Sequence, residues 1–269
     1  THMLGAIIGD IVGSRFEWHN ITTKKFKFFH HTCTFTDDTV MNCAIAQAIL
    51  EWDSEGRPSF GRLSELTITH MREFGSAYPG RGYGGHFQQW LDDKNMGPYH
   101  SCGNGSAMRV SPVGWAARSL DECIAMSNAV TAVTHDHPDG IMGAEATAVL
   151  IYLARNGASS EELHDFEQTH YYPITYDMEW LQENYRWSSV CDQTFHAAYV
   201  CLHEAKDYED CIRNCMSIGG DSDTIGTIAG GIAEAVFGIP AAIKTTALSY
   251  LDDTLRSIQE QFTQSFITG

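Results

Sequence analysis

The chain has 269 residues, a formal net charge of −17 and eight cysteines without a regular spacing. That length is sufficient for a sizeable core in one large domain or two small ones. The negative charge argues against direct nucleic-acid binding, because a phosphate backbone requires a basic surface. No run of Lys and Arg indicates a membrane partner, and no Cys-x-x-Cys pair is present. We therefore expect free thiols and a cytoplasmic protein.

The N-terminal segment contains no targeting signal that we recognise. Thr1-His2 before Met3 is typical of a cloning remnant, so we expect one domain over residues 3–269. The apolar stretch from residue 4 to residue 13 is interrupted by Asp10 and lacks a basic leader. It is therefore predicted to be a helix of the mature fold and not a secretory signal.

This first helix carries a regular glycine pattern and is followed by a carboxylate. Gly5, Gly9 and Gly13 recur every four residues, so they share a helix face that another backbone can approach closely. Asp10 and Glu17 flank the turn that follows. Most glutamates lie on the surface, and Glu17 could be one of them. Alternatively, its carboxylate acts as an acid or base in a functional site.

Most of the remaining chain has the apolar periodicity of helices. The segments with three-to-four spacing are Thr39–Trp52, Leu63–Phe74, Leu120–Val133, Gly140–Asn156, Gln193–Ala205, Asp207–Ile218 and Thr224–Phe237. Two-residue alternation is nearly absent. Tyr171–Tyr176 is the best strand candidate, although Pro173 weakens it. Tyr171–Ser189 is the least regular segment and a candidate insertion. These patterns predict one compact all-α domain.

Two similar acidic clusters lie far apart in the sequence, each just before a predicted helix. They are Thr36-Asp37-Asp38-Thr39 and Gly219-Gly220-Asp221-Ser222-Asp223-Thr224. Their carboxylate and hydroxyl oxygens are hard ligands of the kind that Mg²⁺, Mn²⁺ and Ca²⁺ prefer. If folding brings the clusters together, four carboxylates face one another, and only cations between them relieve the repulsion. The implied site is a two-metal cleft.

Helix capping is the alternative explanation for both clusters. Asp, Ser and Thr are common N-cap residues, and acidic residues in a first turn interact favourably with the helix dipole. Capping would explain either cluster considered alone. A helix requires only one capping residue, however, so the repeated Asp and Thr content of both clusters favours the metal interpretation.

Two glycine-rich loops are candidate ligand-binding segments. The first has Gly80, Gly82, Gly84 and Gly85, more glycines than a plain turn requires, so its amides could approach a ligand. The second, Cys102–Arg109, opens a helical stretch. Its amides and helix dipole could hold a phosphate, although an ordinary helix start would explain the same pattern.

A third loop contains a His-x-His pair. Thr134-His135-Asp136-His137-Pro138 could bind zinc, but no further Cys or His lies nearby at a suitable spacing. A histidine that lines a polar pocket or caps a helix is the favoured interpretation.

Taken in chain order, these motifs resemble those of the ADP-ribosylglycohydrolase family. The motifs are G-D-x-x-G-S-x-F-E, T-D-D-T, G-Y-G-G-x-F, G-N-G-S-A-M-R, T-H-x-H-P and G-G-D-S-D-T. The family includes dinitrogenase reductase-activating glycohydrolase, the ADP-ribosyl-arginine and ADP-ribosyl-serine hydrolases, and the J1 crystallins. The resemblance extends from Met3 to about Pro240 and is greatest with the compact bacterial or phage-type members.

The resemblance implies a single compact all-α domain of orthogonally packed helices, with a cleft that holds two Mg²⁺ or Mn²⁺ ions. It also assigns roles to individual positions. The implied metal ligands are Thr36, Asp37, Asp38, Asp221, Asp223 and Thr224. The implied catalytic residues are Glu17, which lies where the serine-type hydrolases have a catalytic glutamate, and Asp38 as a metal-bound alternative. The implied substrate-binding residues are Gly82, Tyr83, Gly84, Gly85, Gly103, Asn104, Gly105, Ser106, Met108 and His135, with Tyr99 as a candidate to stack on adenine.

The expected activity is metal-dependent hydrolysis that releases ADP-ribose from a modified protein side chain or a small conjugate, by a protein that is most simply a monomer. Arginine-type and serine-type members share the metal motif, so both linkages remain open. One alternative is a catalytically silent relative, crystallin-like or binding ADP-ribose, which the intact ligand set argues against. Another is a two-metal phosphoesterase, which the resemblance disfavours.

Overall fold

The computed structural model describes residues 2–266, which contain fifteen α-helices and no β-strand. The first eight helices are α1 Leu4–Gly13, α2 Asp37–Ser54, α3 Phe60–Ala77, α4 Gly85–Asp92, α5 Gly105–Met108, α6 Ser111–Ala116, α7 Leu120–Thr131 and α8 Pro138–Arg155. The others are α9 Ser160–His170, α10 Met178–Asn184, α11 Cys191–His203, α12 Tyr208–Ser217, α13 Ser222–Phe237, α14 Ala241–Leu248 and α15 Asp253–Ser265. The all-α prediction is confirmed.

Every predicted helix is present, with ends that differ from the prediction by at most three residues. The observed helix ends differ from the predicted ones because capping residues lie outside the apolar positions that defined the predictions. The Ser59 hydroxyl, for example, accepts a hydrogen bond from the Arg62 amide, so α3 begins at Phe60 and not at Leu63. Asp207 caps α12 in the same way.

The strand prediction for Tyr171–Tyr176 is wrong. This segment is irregular and connects α9 to α10, and its aromatic side chains pack against the helical core. Pro173 has no amide to donate, and the described part of the chain offers no strand with which the segment could pair. The two-residue alternation here therefore reflects packing against helices.

Helices α1 and α13 lie against each other at the centre of the molecule. All residues of α1 are buried. A Cβ atom at Gly5 would lie 2.3 Å from the Gly230 carbonyl oxygen, and one at Gly9 would lie 2.0 Å from that of Gly226. The close backbone approach predicted from the glycine repeat is therefore confirmed, and the partner face on α13 also carries glycines. This contact places the end of α1 beside Asp223 at the start of α13.

The remaining helices bury this central pair. Helix α13 also packs against α8, α11 and α12, and α2 packs against α3 on the other side. All eight cysteines are free and, apart from Cys102, buried, in agreement with their irregular spacing. Among the described helices, none combines the length and the apolar character that a membrane span requires.

Candidate active-site cleft and metal centre

The two acidic clusters converge on one cleft of about 440 Å³. The cleft opens where α2 and α13 begin, and its walls include Asp37 and Asp38 from one cluster and Asp221 and Asp223 from the other. Glu17, from the turn after α1, lies on the same wall. The predicted convergence of the clusters is therefore observed, and the α1–α13 contact is its structural cause.

The carboxylates form two overlapping groups. Oxygen atoms of Asp10, Asp38 and Asp223 lie within 4.8 Å of one another, and so do those of Glu17, Asp221 and Asp223. Asp223 belongs to both groups. The arrangement thus offers two adjacent positions for a cation with one shared carboxylate.

Threonine hydroxyls complete this oxygen-rich environment. Thr36 Oγ1 donates to Asp10 Oδ1 at 2.6 Å and lies 3.2 Å from Asp38 Oδ2 and 3.5 Å from Asp223 Oδ2. The single Thr36 hydroxyl therefore bridges both clusters. Thr224 is also buried beside them, and its amide donates to Asp223 Oδ1 at 3.0 Å.

Capping explains only part of the first cluster and does not explain the second. Thr36 does cap α2, because its hydroxyl accepts from the Asp38 amide. Asp221 occupies the N-cap position of α13, yet its side chain makes no capping hydrogen bond. Its Oδ2 instead accepts from Asn104 Nδ2 at 2.7 Å. Asp177 and Asp207 show that aspartates of this chain do cap helices where that is their role.

In the absence of cations, the buried carboxylates of the cleft are unfavourable in their charged form. Burial, followed by the negative charge of Asp10, raises the pKa of Asp38 well above its usual range. Burial, followed by the charge of Asp38, does the same for Asp223. Asp38 Oδ1 is buried and has no hydrogen-bond partner among the described residues. A buried carboxylate oxygen without a donor is a suitable ligand for a divalent ion, so the residues present fit a metal centre.

Asp10 holds the first cluster in place, a role that the sequence did not reveal. This fully buried carboxylate accepts hydrogen bonds from the amides of Thr36 at 2.8 Å and Thr39 at 3.1 Å. It also accepts from both threonine hydroxyls, at 2.6 Å and 2.5 Å. The start of α2 is thereby fixed to α1. The available signal was a lone aspartate within an otherwise apolar helix.

Glu17 is half-buried at the cleft wall, which excludes the interpretation of an ordinary surface glutamate. Burial raises its pKa to about 7, and the negative charge of Asp221 adds to the effect. In the absence of a cation, this carboxyl group can therefore hold or release a proton near neutral pH.

The first glycine-rich loop forms another wall of the cleft. Gly82, Tyr83, Gly84 and Gly85 all line it. The carbonyl of Arg81 accepts from the Asp37 amide at 3.0 Å, so the loop is connected to the first acidic cluster. These four sequence-predicted positions are therefore close to the carboxylates.

The second glycine-rich loop also lines the cleft, except at one of the residues predicted to bind substrate. Gly103, Asn104, Gly105 and Met108 line the cleft. Ser106 does not: it is fully buried, and its hydroxyl donates to the Gly140 carbonyl at 2.7 Å. The helix that begins here has only four residues, so it contributes a small dipole.

His135 lines the end of the cleft as a neutral side chain. Burial, with the nearby charge of Arg109, lowers its pKa well below the usual value. Thr134 Oγ1 accepts from Arg109 Nη2 at 2.9 Å and lies 2.6 Å from His135 Nδ1, so this hydroxyl connects the guanidinium to the imidazole. His135 Nε2 is on the side of the ring that faces Gly105. The Tyr99 ring, 6.1 Å from that of His135, lines the same end.

Two tryptophans at the cleft rim were also missed. Trp18 and Trp187 line the cleft and stack with ring centroids 5.4 Å apart and an interplanar angle of 22°. Trp18 is adjacent in sequence to Glu17, which was a usable signal. Trp187 lies in the irregular segment before α11, where periodicity gave no information.

The fold and the cleft define an all-α domain with an acidic site suited to divalent cations. A family model described as ADP-ribosylglycohydrolase matches residues 2–268. The chain belongs to the ADP-ribosylglycohydrolase family.

Individual relatives agree with this assignment. The chain is 26% identical to ADP-ribosylhydrolase ARH3 of Mus musculus, over 88% of this chain and 83% of that protein. It is 25% identical to ADP-ribosylarginine hydrolase Tri1 of Pseudomonas putida (strain GB-1), over 88% of this chain and 70% of the relative. A solved structure titled ADP-ribosylglycohydrolase-related protein complex aligns with a TM-score of 0.69 at 20% identity, over 98% of this chain and 96% of that chain. At that identity, the structural match supports the fold.

Proposed function

We propose that this protein is a metal-dependent hydrolase that cleaves the glycosidic bond between ADP-ribose and a modified amino-acid side chain or small conjugate. The observation that carries the proposal is the convergence of both acidic clusters and Glu17 on one cleft. A volume of about 440 Å³ lies within the usual range of small-molecule sites.

The proposed metal centre uses side chains from both clusters. Its ligands would be Thr36, Asp37, Asp38, Asp221, Asp223 and Thr224, with two Mg²⁺ or Mn²⁺ ions. Bound there, such ions would supply Lewis-acid chemistry, fixing ribose hydroxyls and lowering the pKa of a water molecule.

Glu17 is proposed as the group that moves a proton during the reaction. Cleavage at the anomeric carbon proceeds through an oxocarbenium-like state, so the water must lose a proton and the leaving group must gain one. Glu17 lies at the carboxylate cluster and lines the cleft, where its carboxyl group could take part in both transfers. Asp38 is the alternative proton acceptor.

The loops are proposed to orient ADP-ribose along the cleft. The amides around Gly82–Gly85 and Gly103–Gly105 would contact the distal ribose and the diphosphate. The neutral imidazole of His135 provides a polar ring at that end, and Tyr99 provides a ring on which adenine could stack. Ser106 is excluded from this contact set because its hydroxyl is occupied within the core.

A product assay tests the proposal. Purified protein is incubated with arginine-linked and serine-linked ADP-ribosyl peptides, each with Mg²⁺, with Mn²⁺ and with excess chelator. Metal-dependent release of free ADP-ribose is the expected result. AMP as the product would identify a phosphoesterase, and the absence of any product on every linkage would identify a silent ADP-ribose-binding or crystallin-like relative.

A further inference from the structure

The cleft rim next to Glu17 carries an exposed aromatic pair. Trp18 is 71% exposed and Trp187 is 43% exposed, although stacking of the two indoles already removes part of their surface from water. Exposed indoles at the mouth of a polar cleft are typical of binding surfaces, because large apolar side chains are otherwise buried.

The chain fixes this pair relative to the carboxylates. Asn20, two residues after Trp18, donates to the Gly220 carbonyl at 2.8 Å and accepts from the Gly220 amide at 3.0 Å. Tyr185, two residues before Trp187, packs over the same glycine, where an added Cβ would lie 2.4 Å from the ring. Both rim segments therefore contact the turn that positions Asp221.

The charges around the pair favour a cation. Glu17, Asp221 and Asp223 lie on this side of the cleft. Among the described residues that line the cleft, Arg109 is the one with a permanent positive charge. Its guanidinium is fully buried and donates to the Val130 carbonyl at 2.8 Å. A cation that enters at the rim therefore meets indole faces and, in Glu17, a carboxylate outside the proposed metal-ligand set, and no exposed Lys or Arg of the described cleft lining competes with it.

We propose that Trp18 and Trp187 form the subsite for the leaving group of the conjugate, and that this group is a planar cation, the guanidinium of an arginine linkage. A guanidinium can stack on an indole face and can also bind a carboxylate, whereas a serine side chain uses neither surface.

This inference rests on the proposed hydrolase activity and is consistent with its proton balance. The bond between the anomeric carbon and the guanidinium nitrogen breaks, and the oxygen of water bonds to that carbon. One proton of the water passes through Glu17 to the departing nitrogen, so the arginine side chain leaves as guanidinium. The subsite would hold the planar group of the arginine side chain both before and after the bond breaks.

The kinetic test compares linkages in single variants. For Trp18→Ala and Trp187→Ala, kcat/KM on an arginine-linked peptide should each fall about 5- to 30-fold, the range expected for loss of a cation–π contact. The loss should be mainly in KM, and the Phe variants should restore most of it. Trp180→Ala is the matched control, because Trp180 is 45% exposed and stacks on Tyr176 outside the cleft lining.

A binding test separates this inference from the proposed activity. In a Glu17→Gln background, calorimetry with Mg²⁺ should show that ADP-ribosyl-arginine binds more tightly than free ADP-ribose. The Trp variants should remove that difference and leave the affinity for ADP-ribose within about twofold. If the wild-type protein hydrolyses no conjugate but still binds ADP-ribosyl-arginine more tightly than ADP-ribose, the proposed activity is wrong and the subsite is supported. Equal losses on arginine and serine linkages, unchanged kinetics, or no difference between the two ligands would overturn the subsite.

Discussion

Glu17 and Asp38 contribute carboxylates to the same cleft in different surroundings. Asp38 is almost completely buried and contacts Thr36, whereas Glu17 is half-buried on a turn outside both acidic clusters. The proposed roles differ accordingly. Asp38 would act through the metal ions, and Glu17 would act on the reacting atoms.

Substitution of these two residues should therefore produce different defects. Asp38→Ala should lower metal affinity and turnover together, because it removes a ligand. Glu17→Gln keeps an oxygen beside Asp221 and Asp223, so it should bind metal and ADP-ribose nearly as before, while kcat falls about 100-fold or more, the usual scale for a general acid–base group. Calorimetry and steady-state kinetics on the same preparations measure both quantities. Full turnover by Glu17→Gln on every linkage would transfer the proton step to a carboxylate such as Asp38.

Asp10 should be important for stability and for the shape of the metal site. In Asp10→Asn, the amide oxygen can still accept from the amides of Thr36 and Thr39, but the NH₂ group then replaces the oxygen that accepts from Thr36 Oγ1. We expect the free energy of unfolding to fall by about 2–3 kcal/mol, since a buried charged acceptor is lost. Chemical denaturation measures this change, and Mg²⁺ titration should show weaker binding. The exposed Asp165→Asn is a matched control that should change neither quantity.

The sequence predicted residues of the cleft where the same residue types occur in two clusters. It did not predict residues whose role depends only on where the fold places them. Two clusters of the same residue types indicated the convergent carboxylates. Asp10 was missed because a single acidic residue in an apolar helix has no distinctive spacing. Trp187 was missed because its role depends on a stacking partner 169 positions away in the chain.

At the scale of elements, the α1–α13 contact determines the geometry of the site. The glycine repeat of α1 predicted a close backbone approach, and helix periodicity predicted α13. The pairing of the two could not be predicted, because a glycine face on α1 does not specify which of the other helices it meets. That pairing depends on carbonyl oxygens of Gly226 and Gly230 that fit into the glycine face.

Gly9→Ala tests this contact. The added Cβ would lie 2.0 Å from the Gly226 carbonyl oxygen, so the two helices must move apart. We expect a loss of about 1–3 kcal/mol in stability, or more, from overpacking. Metal affinity should also decrease, because Asp10 and Asp223 are attached to the two helices that separate.

Gly61→Ala is the matched control for the α1–α13 contact. Gly61 lies in α3, and the nearest atom to an added Cβ is 3.8 Å away. This substitution should raise the melting temperature slightly, since alanine favours a helix over glycine by about 1 kcal/mol. A Gly9→Ala protein as stable as wild type would show that the close contact is not required.

At the scale of the whole molecule, buried carboxylates link stability to pH and to metal binding. Burial raises the pKa of Glu17 to about 7 and raises those of Asp38 and Asp223 well above their usual range. Between pH 4.5, the ordinary value for a glutamate, and pH 7, the folded metal-free protein therefore holds more protons than the unfolded chain. Its free energy of unfolding must then decrease as pH rises through that window.

Divalent ions should oppose this decrease. Metal ions bind the ionised carboxylates of the folded protein, so their stabilising effect should grow as protons leave. Melting temperatures measured at about pH 5, 6 and 7 with excess chelator should fall as pH rises, and the increase in melting temperature caused by Mg²⁺ or Mn²⁺ should be largest at the highest pH.

Chelation should also abolish hydrolysis, and added metal should restore it.

Glu167 provides an internal control for the metal effect on the pH dependence. This buried glutamate of α9 lies outside the cleft lining, and burial raises its pKa to about 7 as well. The contribution of Glu167 to the fall in stability with pH should persist when metal is present and should disappear in Glu167→Gln. The contribution of Glu17 to the same fall should disappear in Glu17→Gln. A metal-induced increase in melting temperature that is the same at every pH would mean that the ions do not bind the ionised carboxylates of the cleft. In that case the proposed metal centre would be wrong, even though the acidic clusters converge.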